Sequence, residues 1–391
     1  MKKIISIAFA AILAGLAISC QKENSFSVNT TDSVQYSFNI TVNEQFGFDS
    51  DVSTKGGVSP SYKTAWANGD RIFLFFKPTS GSLLTDTYAT LTYDGSTWGG
   101  AVTGTSSLGE GGKLSAVYVY NLDGSVTPEF STDKWTVATG NVFYNCQADV
   151  SYTVSGDEIT ASLNLVAPAD FVRFSVVGAS GQLTCDKVKG WKDIAIGSDL
   201  AVSNVTNTGY MEGFTNSGPP NVMDYYGRLV SGTSLNGISC KFSVVKEGKV
   251  YEHTAAPTSN ARSFQMSTSA WAEAPGKLPG LFSVAADGKV IRFSKGNLRY
   301  TTGNSTWSFF VNQYEYGHSN DQVSLFTWGY GIDWSTNPST STYLTTHTTG
   351  EILAQSEDWG SKVGSEGTWR TLTTAEWQYL FNYDSRVVVM R

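Results

Sequence analysis

Few residues in this chain have the types and spacing that catalysis or metal binding requires. The 391 residues include three histidines, none with a cysteine or histidine at ligand spacing, and no Gly-x-Ser-x-Gly elbow for a serine nucleophile. Gly104 and Gly109 have phosphate-loop spacing, but Glu110 stands where such a loop has lysine, and an apolar strand follows instead of a helix. A hairpin turn is favoured there. We predict that the chain is not an enzyme and holds no metal or cofactor.

The N-terminal stretch has the composition of a secretory signal. Lys2 and Lys3 precede an apolar and small-residue run from Ile4 to Ile18, after which the sequence turns polar. The run is too short to span a bilayer as a stable helix. A charged start, a short apolar segment and small residues at a cleavage point are typical of signal peptides. We predict that residues 1–19 are removed on export.

Cys20 is the residue whose position predicts a chemical modification. It directly follows Leu16-Ala17-Ile18-Ser19, an arrangement that resembles the bacterial lipobox. The resemblance implies that Cys20 becomes the new N-terminus with lipid on its thiol and amine. The protein would then be held at the outer membrane, on the cell surface, by acyl chains rather than by a spanning helix. Residues 20–32 would form a polar tether. The alternative is an ordinary signal peptide with an incidental cysteine.

The composition suits an extracellular β-protein. Charged residues make up 16% of the chain, against about 25% in an average soluble domain. The net charge of -7 argues against nucleic acid as a partner, because phosphate binding needs a basic face. After Cys20 the cysteines are Cys146, Cys185 and Cys240, an odd number spread too widely for a disulfide framework. We expect these three to be structural.

Alternating apolar residues predict short strands through most of the chain. Between Val34 and Val42 apolar and polar residues alternate with period 2, which predicts the first strand. Asn68-Gly69-Asp70 is a turn signal before the next apolar run. Short strands with hardly any helical pattern indicate β-sandwiches. The further predicted strands are Ile72 to Phe76, Ala89 to Tyr93, Leu114 to Tyr120, Ile159 to Leu165, Phe171 to Val177 and Ile194 to Val202.

Changes in amino-acid composition along the sequence indicate where the domains begin and end. We predict a first β-sandwich over residues 33–178 and a second over 179–275, in which Glu247-Gly248-Lys249 is the turn of a hairpin. A linker of small residues ends the second domain, and residues 276–391 are rich in tryptophan. The predicted fold class is all-β, with two tandem β-sandwich domains followed by an incomplete α+β domain.

Two motifs and the lipobox carry a family resemblance over about residues 33–275. Trp66 precedes Asn68-Gly69-Asp70 and an apolar strand, and Tyr93-Asp94-Gly95-Ser96-Thr97-Trp98 follows later. This pattern resembles the fimbrillin-like family of Bacteroidales surface lipoproteins. The resemblance implies two fimbrillin-like β-sandwich domains and other fimbrial subunits as partners.

The same resemblance implies a processing site. In that family a trypsin-like protease cuts after an arginine behind the first strand, which removes lipid and strand and opens a groove for a strand from the next subunit. Here the removable strand would be Val34 to Val42, and the cut would fall between Lys55 and Gly56. Because lysine replaces arginine, an arginine-specific protease would spare the chain, which would then be an anchor, tip or accessory subunit. The alternative is a solvated loop lysine without a processing role.

A second resemblance is local. The sequence from Trp369 to Trp377 is similar to a signature of formylglycine-generating sulfatase-modifying enzymes, whose fold is a variant of the C-type lectin fold. Thr373 and Glu376 have capping-box spacing, which predicts a helix to Phe381. The oxidising cysteines of that family follow this signature, and no cysteine follows Cys240 here. We expect an incomplete C-type lectin-like domain without catalysis.

The last apolar run, Val387 to Met390, predicts a strand with no later partner, which favours a protein that continues beyond Arg391.

Aromatic residues in polar, Gly-rich surroundings are the candidates for ligand contact, since exposed rings can stack on sugars. The alternative is that they form the core of a loop-rich domain. Two functions follow from the sequence: a fimbrillin-like subunit with a structural or adhesive role, or a stand-alone glycan-binding surface lipoprotein that does not polymerise. The candidate partners are other subunits, glycans and surface proteins. The candidate contact residues are Tyr314, Tyr316, Trp328, Tyr330 and Trp334.

Overall fold

The structure is a computed structural model that describes residues 36–43, 65–120, 124–140, 143–205, 207–215, 222–230, 234–258, 260, 262–316, 318–319, 322–323, 358–364 and 368–381. Its regular structure is nearly all strand, and sheets pack face to face, so the fold is all-β with β-sandwich architecture. Among the described residues no helix is both long and apolar enough to cross a bilayer.

Strands follow one another closely along the described chain. Up to residue 164 they are β1 (Ser37–Asn43), β2 (Arg71–Pro78), β3 (Tyr88–Tyr93), β4 (Trp98–Thr103), β5 (Gly111–Val119), β6 (Glu129–Ser131), β7 (Lys134–Ala138), β8 (Tyr144–Ser155) and β9 (Glu158–Asn164). Up to residue 273 they are β10 (Phe171–Val177), β11 (Ser180–Cys185), β12 (Val188–Lys189), β13 (Asp193–Ile196), β14 (Val202–Val205), β15 (Gly213–Thr215), β16 (Val222–Leu229), β17 (Cys240–Lys246), β18 (Lys249–Ala255), β19 (Ser263–Ser267) and β20 (Ala272–Glu273).

The remaining elements of the described residues are short. They are β21 (Phe282–Ser283), β22 (Val290–Ile291), β23 (Leu298–Thr301), β24 (Thr306–Phe309), β25 (His318–Ser319), β26 (Gln322–Val323), the helix α1 (Thr374–Phe381) and three 3₁₀ turns at Thr268–Ala270, Thr302–Asn304 and Trp359–Lys362.

Sheet A contains, among the described strands, β1-β9-β8-β5-β2-β3-β4 in spatial order. Its inner strand β2 is apolar on both faces, so alternate side chains enter two different cores. Ile72, Leu74 and Phe76 join residues from the other strands of this sheet in one cluster, which we call core A. The sheet therefore curls around core A. Phe73 and Phe75 point to the opposite face.

Sheet B, with the order β14-β13-β7-β6 in the described chain, covers that opposite face. Trp135 and Val137 of β7 meet Phe75 and its neighbours in a second cluster, core AB. The sequence prediction of one strand from Ile194 to Val202 is wrong, because β13 and β14 form an antiparallel hairpin. Leu200 takes a φ of 67° in the turn between them, and period-2 patterning does not register such a reversal.

Sheet C contains, among the described strands, β19-β10-β16-β12-β11-β17-β18-β20, with β15 paired to β16. It encloses core C, which includes Phe174, Phe242 and Trp271. Phe171 of β10 points the other way into core AB, with its ring centroid 5.1 Å from that of Trp191. Sheets A, B and C thus share one aromatic contact region.

Strands that precede the predicted domain boundary at residue 178 pair with strands that follow it. β10 lies before that position and pairs with β16 and β19, which lie after it. β13 lies after it and pairs with β7, which lies before it. The chain therefore alternates between sheets in this region.

The described residues of the C-terminal part form short hairpins and α1. Its capping box is formed as the sequence predicts: Thr373 N donates to Glu376 Oε2 at 3.0 Å and Glu376 N donates to Thr373 Oγ1 at 3.3 Å. Arg370 donates to both oxygens of Glu376, each at 2.6 Å. These donors hold the pKa of Glu376 well below its ordinary value, with the Arg370 hydrogen bonds as the largest cause. The motif residues 370 and 376 thus fix the start of α1.

Candidate functional site

The first strand, β1, is the candidate site because it lies at the edge of sheet A. It pairs in parallel with β9 without a register shift, from Ser37 opposite Glu158 to Asn43 opposite Asn164. Within the described residues its other side has no ladder partner. Parallel neighbours need a long connection, and here the pair joins the first strand of sheet A to the last one in sequence.

The side chains of β1 alternate as a half-buried strand should. Phe38, Ile40 and Val42 are partly buried and pack on core A, whereas the residues between them are exposed. Full burial of such a side chain contributes about 1.5–3 kcal/mol. Because the three are only partly buried, their burial holds β1 with a few kcal/mol at most.

Gly100 of β4 provides the second wall for β1. A Cβ atom placed on Gly100 would lie 2.9 Å from the ring of Phe38 and 2.7 Å from Leu91. The ring therefore occupies the space above the glycine, and the two edge strands of the curled sheet meet there. Core A is closed by side-chain packing at this seam rather than by a hydrogen-bonded ladder.

Polar ties outside the ladder are few on β1. Ser37 N donates to Asp157 O at 2.7 Å. Two side-chain hydrogen bonds of this strand are long and exposed: Ser37 Oγ donates to Asp157 O at 3.4 Å and Asn39 Nδ2 donates to Glu158 Oε1 at 3.5 Å. Exposed contacts of this length contribute little. Ladder bonds and the three apolar side chains therefore provide most of what retains β1.

The residues that carry the family resemblance meet beside this seam. Trp66 packs edge-on against Trp98 and against Tyr118, with ring centroids 4.9 Å apart in both pairs. Asp70 closes the preceding turn by accepting from Ala67 N at 2.7 Å. Trp66 and Trp98 are both attached to core A. The two sequence motifs thus build one end of the core that β1 covers.

The turn between β3 and β4 is fixed by Asp94. Its carboxylate accepts the backbone N–H groups of Thr97 and Ser96, both at 2.8 Å, and the hydroxyls of the same residues. These hydrogen bonds lower the pKa of Asp94 to about 2, with the Thr97 backbone N–H as the largest cause. The ionised carboxylate therefore helps to position β4 beside β1.

Several predicted site residues lie outside the described part of the chain. These are Cys20, Lys55, Gly56, Trp328, Tyr330 and Trp334, together with the predicted last strand Val387 to Met390. Lipidation and processing therefore stay predictions. In sequence, Lys55 and Gly56 fall between β1 and β2.

Tyr314 and Tyr316 are described, and both rings are exposed, by 79% and 65%. Their loop is organised by Glu315, whose Oε2 accepts from Val311 N at 3.0 Å, and Asn312 donates to the hydroxyl of Tyr314 at 3.1 Å. The rings belong to no described core cluster. They are available to solvent, and ligand contact through them stays a prediction.

The three later cysteines are unpaired thiols. Cys185 and Cys240 are buried in core C, and Cys146 lies partly buried beside core AB. Burial raises the pKa of Cys146 to about 11, so this thiol stays protonated at neutral pH. Packing is the role that these surroundings support.

Comparison with known proteins gave distant structural likenesses. No protein-family model and no curated protein matches the sequence. A fimbrial protein from Bacteroides ovatus is 12% identical with a TM-score of 0.28, over 67% of this chain and 54% of that one, so the chain spans about half its length. An adhesin candidate from Bacteroides ovatus is 11% identical with a TM-score of 0.26, over 62% of this chain and 98% of that one.

The fimbrial anchor protein Mfa2 from Porphyromonas gingivalis is also similar to the chain. It is 11% identical with a TM-score of 0.30, over 66% of this chain and 95% of that one. TM-scores this low carry no argument about the fold. The fold assignment therefore depends on the strand pairing observed in this chain.

Proposed function

We propose that the protein is an exported, lipid-anchored surface subunit of a fimbria or fimbria-like adhesive fibre, and that β1 is its exchangeable strand. The observation that carries the proposal is the position of β1, an in-register parallel strand at a sheet edge that closes core A by packing. Removal of such a strand leaves a row of unpaired β9 groups and an apolar slot, which is the template that β-augmentation uses.

The position of the predicted cut supports the proposal. A cut after Lys55 would separate β1 from β2, so that only non-covalent contacts retained β1. A donor strand that replaced it would place apolar side chains where Phe38, Ile40 and Val42 lie. An uncut chain would keep β1 and the lipid on Cys20, and would then serve as an anchor, tip or accessory subunit.

The first experiment determines the N-terminus of the protein isolated from the cell envelope by intact mass spectrometry. Polymerisation by strand exchange predicts a chain that begins at Gly56 and forms polymers that survive mild detergent and run as a series of bands on a gel. Lys55→Ala should then retain lipidated Cys20 and stay monomeric. A wild-type chain that begins at Cys20 and never forms polymers would contradict strand exchange. The protein would then be an uncut, lipid-anchored subunit.

A second experiment tests β1 directly with a disulfide between exposed residues. Thr41 lies opposite Ser162 in the β1–β9 ladder. Oxidised T41C/S162C should therefore retain β1 and form no polymers, and reductant should restore polymerisation. The matched control is T153C/T160C, an exposed pair in the β8–β9 ladder, which should not affect assembly. Equal assembly of oxidised T41C/S162C and wild type would overturn the role of β1.

The second candidate function is a stand-alone glycan-binding surface lipoprotein. The exposed rings of Tyr314 and Tyr316 favour it. It predicts a monomer that keeps Cys20 and binds a saccharide, and the N-terminal mass separates it from strand exchange. The C-type lectin-like character of residues 276–391 stays a prediction under both functions.

A further inference from the structure

A cleft of about 820 Å³ lies between the outer face of sheet C and the C-terminal segment. Lys241, Ser243 and Glu252 line it from sheet C, and Arg292 and Trp369 line it from the other side. The volume falls in the range of about 300–1,000 Å³ that small-ligand sites occupy. We call it the junction cleft.

The junction cleft is cationic in an acidic protein. The chain has a net charge of -7, yet the described lining residues include six cations and three carboxylates, from Asp186, Glu252 and Asp287. A concave site lined by one sign of charge concentrates that potential and attracts ligands of the opposite sign. The cations are Lys189, Lys241, Lys277, Lys289, Arg292 and Arg370.

Four of these cations already have carboxylate partners. Lys277 pairs with Glu252 at 2.6 Å and Lys189 with Asp287 at 3.7 Å. Lys289 and Arg370 share the single carboxylate of Glu376, at 2.9 Å and 2.6 Å. These pairs are satisfied within the protein, so they shape the wall more than they attract a ligand.

Lys241 and Arg292 differ from the other four. In the described part of the chain neither has a carboxylate within ion-pair distance. Lys241 is exposed on β17. The guanidinium of Arg292 is fixed, because Nε donates to Ser243 Oγ at 3.3 Å and Nη1 donates to Pro279 O.

The charge of Arg292 is compensated only in part, by Coulomb attraction to Glu252, which already pairs with Lys277. Its Nη2 is buried and has no acceptor among the described residues. Burial lowers the pKa of Arg292, since desolvation disfavours the charged form. An anion in the cleft would stabilise this charge even without direct contact, because Coulomb attraction in a partly desolvated site acts over several ångströms.

Aromatic residues complete the lining. The ring of Trp369 packs edge-on against Phe309 at 4.5 Å between centroids, and Lys277 Nζ lies 5.5 Å from the Trp369 ring. Rigid aromatic surface beside fixed cations suits a ligand with a flat apolar face and an anionic group. A long polyanion would be repelled by the acidic remainder of the protein, so the fitting ligand is short.

We propose that the junction cleft binds a short acidic saccharide, with its ring against Trp369 and its carboxylate or sulfate near Lys241 and Arg292. Neutral saccharides share the ring faces but lack the group that these two cations select. The proposal is independent of β1 and of strand exchange, so either can fail without the other.

The test is calorimetric titration of the purified protein with three probes. Trigalacturonic acid carries carboxylates, a heparin-derived tetrasaccharide also carries sulfates, and maltotriose is the neutral control. We expect one or both acidic probes to bind and maltotriose not to bind at the same concentration. A clear preference between the acidic probes identifies carboxylate or sulfate as the recognised group. Absence of binding by both, or equal binding of maltotriose, would overturn the proposal.

Variants locate the binding. Lys241→Gln should weaken the binding of the acidic probe at least tenfold, and Arg292→Gln should do so where its thermal midpoint shows that it folds. Lys192→Gln, an exposed lysine outside the cleft, is the matched control and should change affinity less than twofold. Equal weakening by Lys241→Gln and Lys192→Gln would mean diffuse electrostatic attraction and would overturn the site.

Discussion

Sheets A and C each end in a parallel edge strand, but the two strands are held by different forces. β1 pairs in parallel with β9, and β19 pairs in parallel with β10. On β19, Phe264 stacks on Phe174 with ring centroids 5.7 Å apart. Arg262 donates to Pro168 O at 2.6 Å just before the strand, and Thr268 donates to Val177 O at 3.2 Å just after it. β19 is tied at both ends.

A buried ion pair lies under β19 and has no counterpart among the described contacts of β1. Arg173 Nη2 meets Asp224 Oδ2 at 2.7 Å, with side-chain exposures of 3% and 5%, and its Nη1 lies 3.5 Å from Ser263 Oγ on β19. Breaking such a pair leaves an uncompensated charge. The same topology therefore gives one edge strand with hydrogen bonds at both ends, β19, and one that is held mainly by its ladder and three apolar side chains, β1.

Asp224→Asn should have the largest effect, because it leaves Arg173 buried without its counter-charge. We expect a loss of about 3–5 kcal/mol in the free energy of unfolding, measured by urea denaturation. The control is Asp149→Asn, which removes an exposed pair with Lys113 at 3.6 Å and should cost less than about 1 kcal/mol. Similar losses in the two variants would mean that the buried pair does not lock sheet C.

Phe264→Ala and Phe38→Ala compare the two edges by matched truncation. Phe264→Ala should lower the free energy of unfolding by about 2–3 kcal/mol, below the value for a fully buried ring because Phe264 is partly buried. Phe38→Ala should mainly raise hydrogen exchange of the β1 amides and change global stability less. If both variants changed only global stability, β1 would be as integral to the fold as β19.

Gly100→Val tests the seam between β1 and β4. The new side chain would collide with Phe38 and Leu91, so we expect a cost of about 1–3 kcal/mol and faster exchange of β1 amides. Gly99→Val is the control on the same strand, because a Cβ there meets no atom within 4 Å. Equal hydrogen exchange of the β1 amides in both variants would show that packing at Gly100 does not help to hold β1.

Acidification should have the smallest effect, and in the turn between β3 and β4 it should act through Asp94. The folded-state pKa of Asp94, about 2, is depressed from its ordinary value of 3.8. The stabilisation of the turn by the Asp94 carboxylate is therefore complete above about pH 4 and is lost as the pH falls through about 2. Hydrogen exchange across this range should show the turn at Ser96 and Thr97 loosening in wild type, whereas this turn should show no change in Asp94→Asn over the same interval. Loosening of Asp94→Asn at the same pH would assign the effect elsewhere.

Much of the local structure could be predicted from the sequence. The period-2 run that predicted Val34 to Val42 contains most of β1, the capping-box spacing predicted α1, and Glu247-Gly248 forms the turn between β17 and β18. Each of these depends on residues a few positions apart. Backbone sterics and alternation of side chains therefore act on them before any tertiary contact forms.

The sequence by itself thus determined the positions of several strands and turns and an all-β fold, although it missed the reversal between β13 and β14. The tertiary structure alone decided which strands pair, because partner choice depends on packing between residues far apart in the chain. It placed β1 beside β9, brought Trp66 onto Trp98, and assembled Lys241 and Arg292 in one cleft. No periodicity encodes those distances, since core packing and long-range pairing set them together.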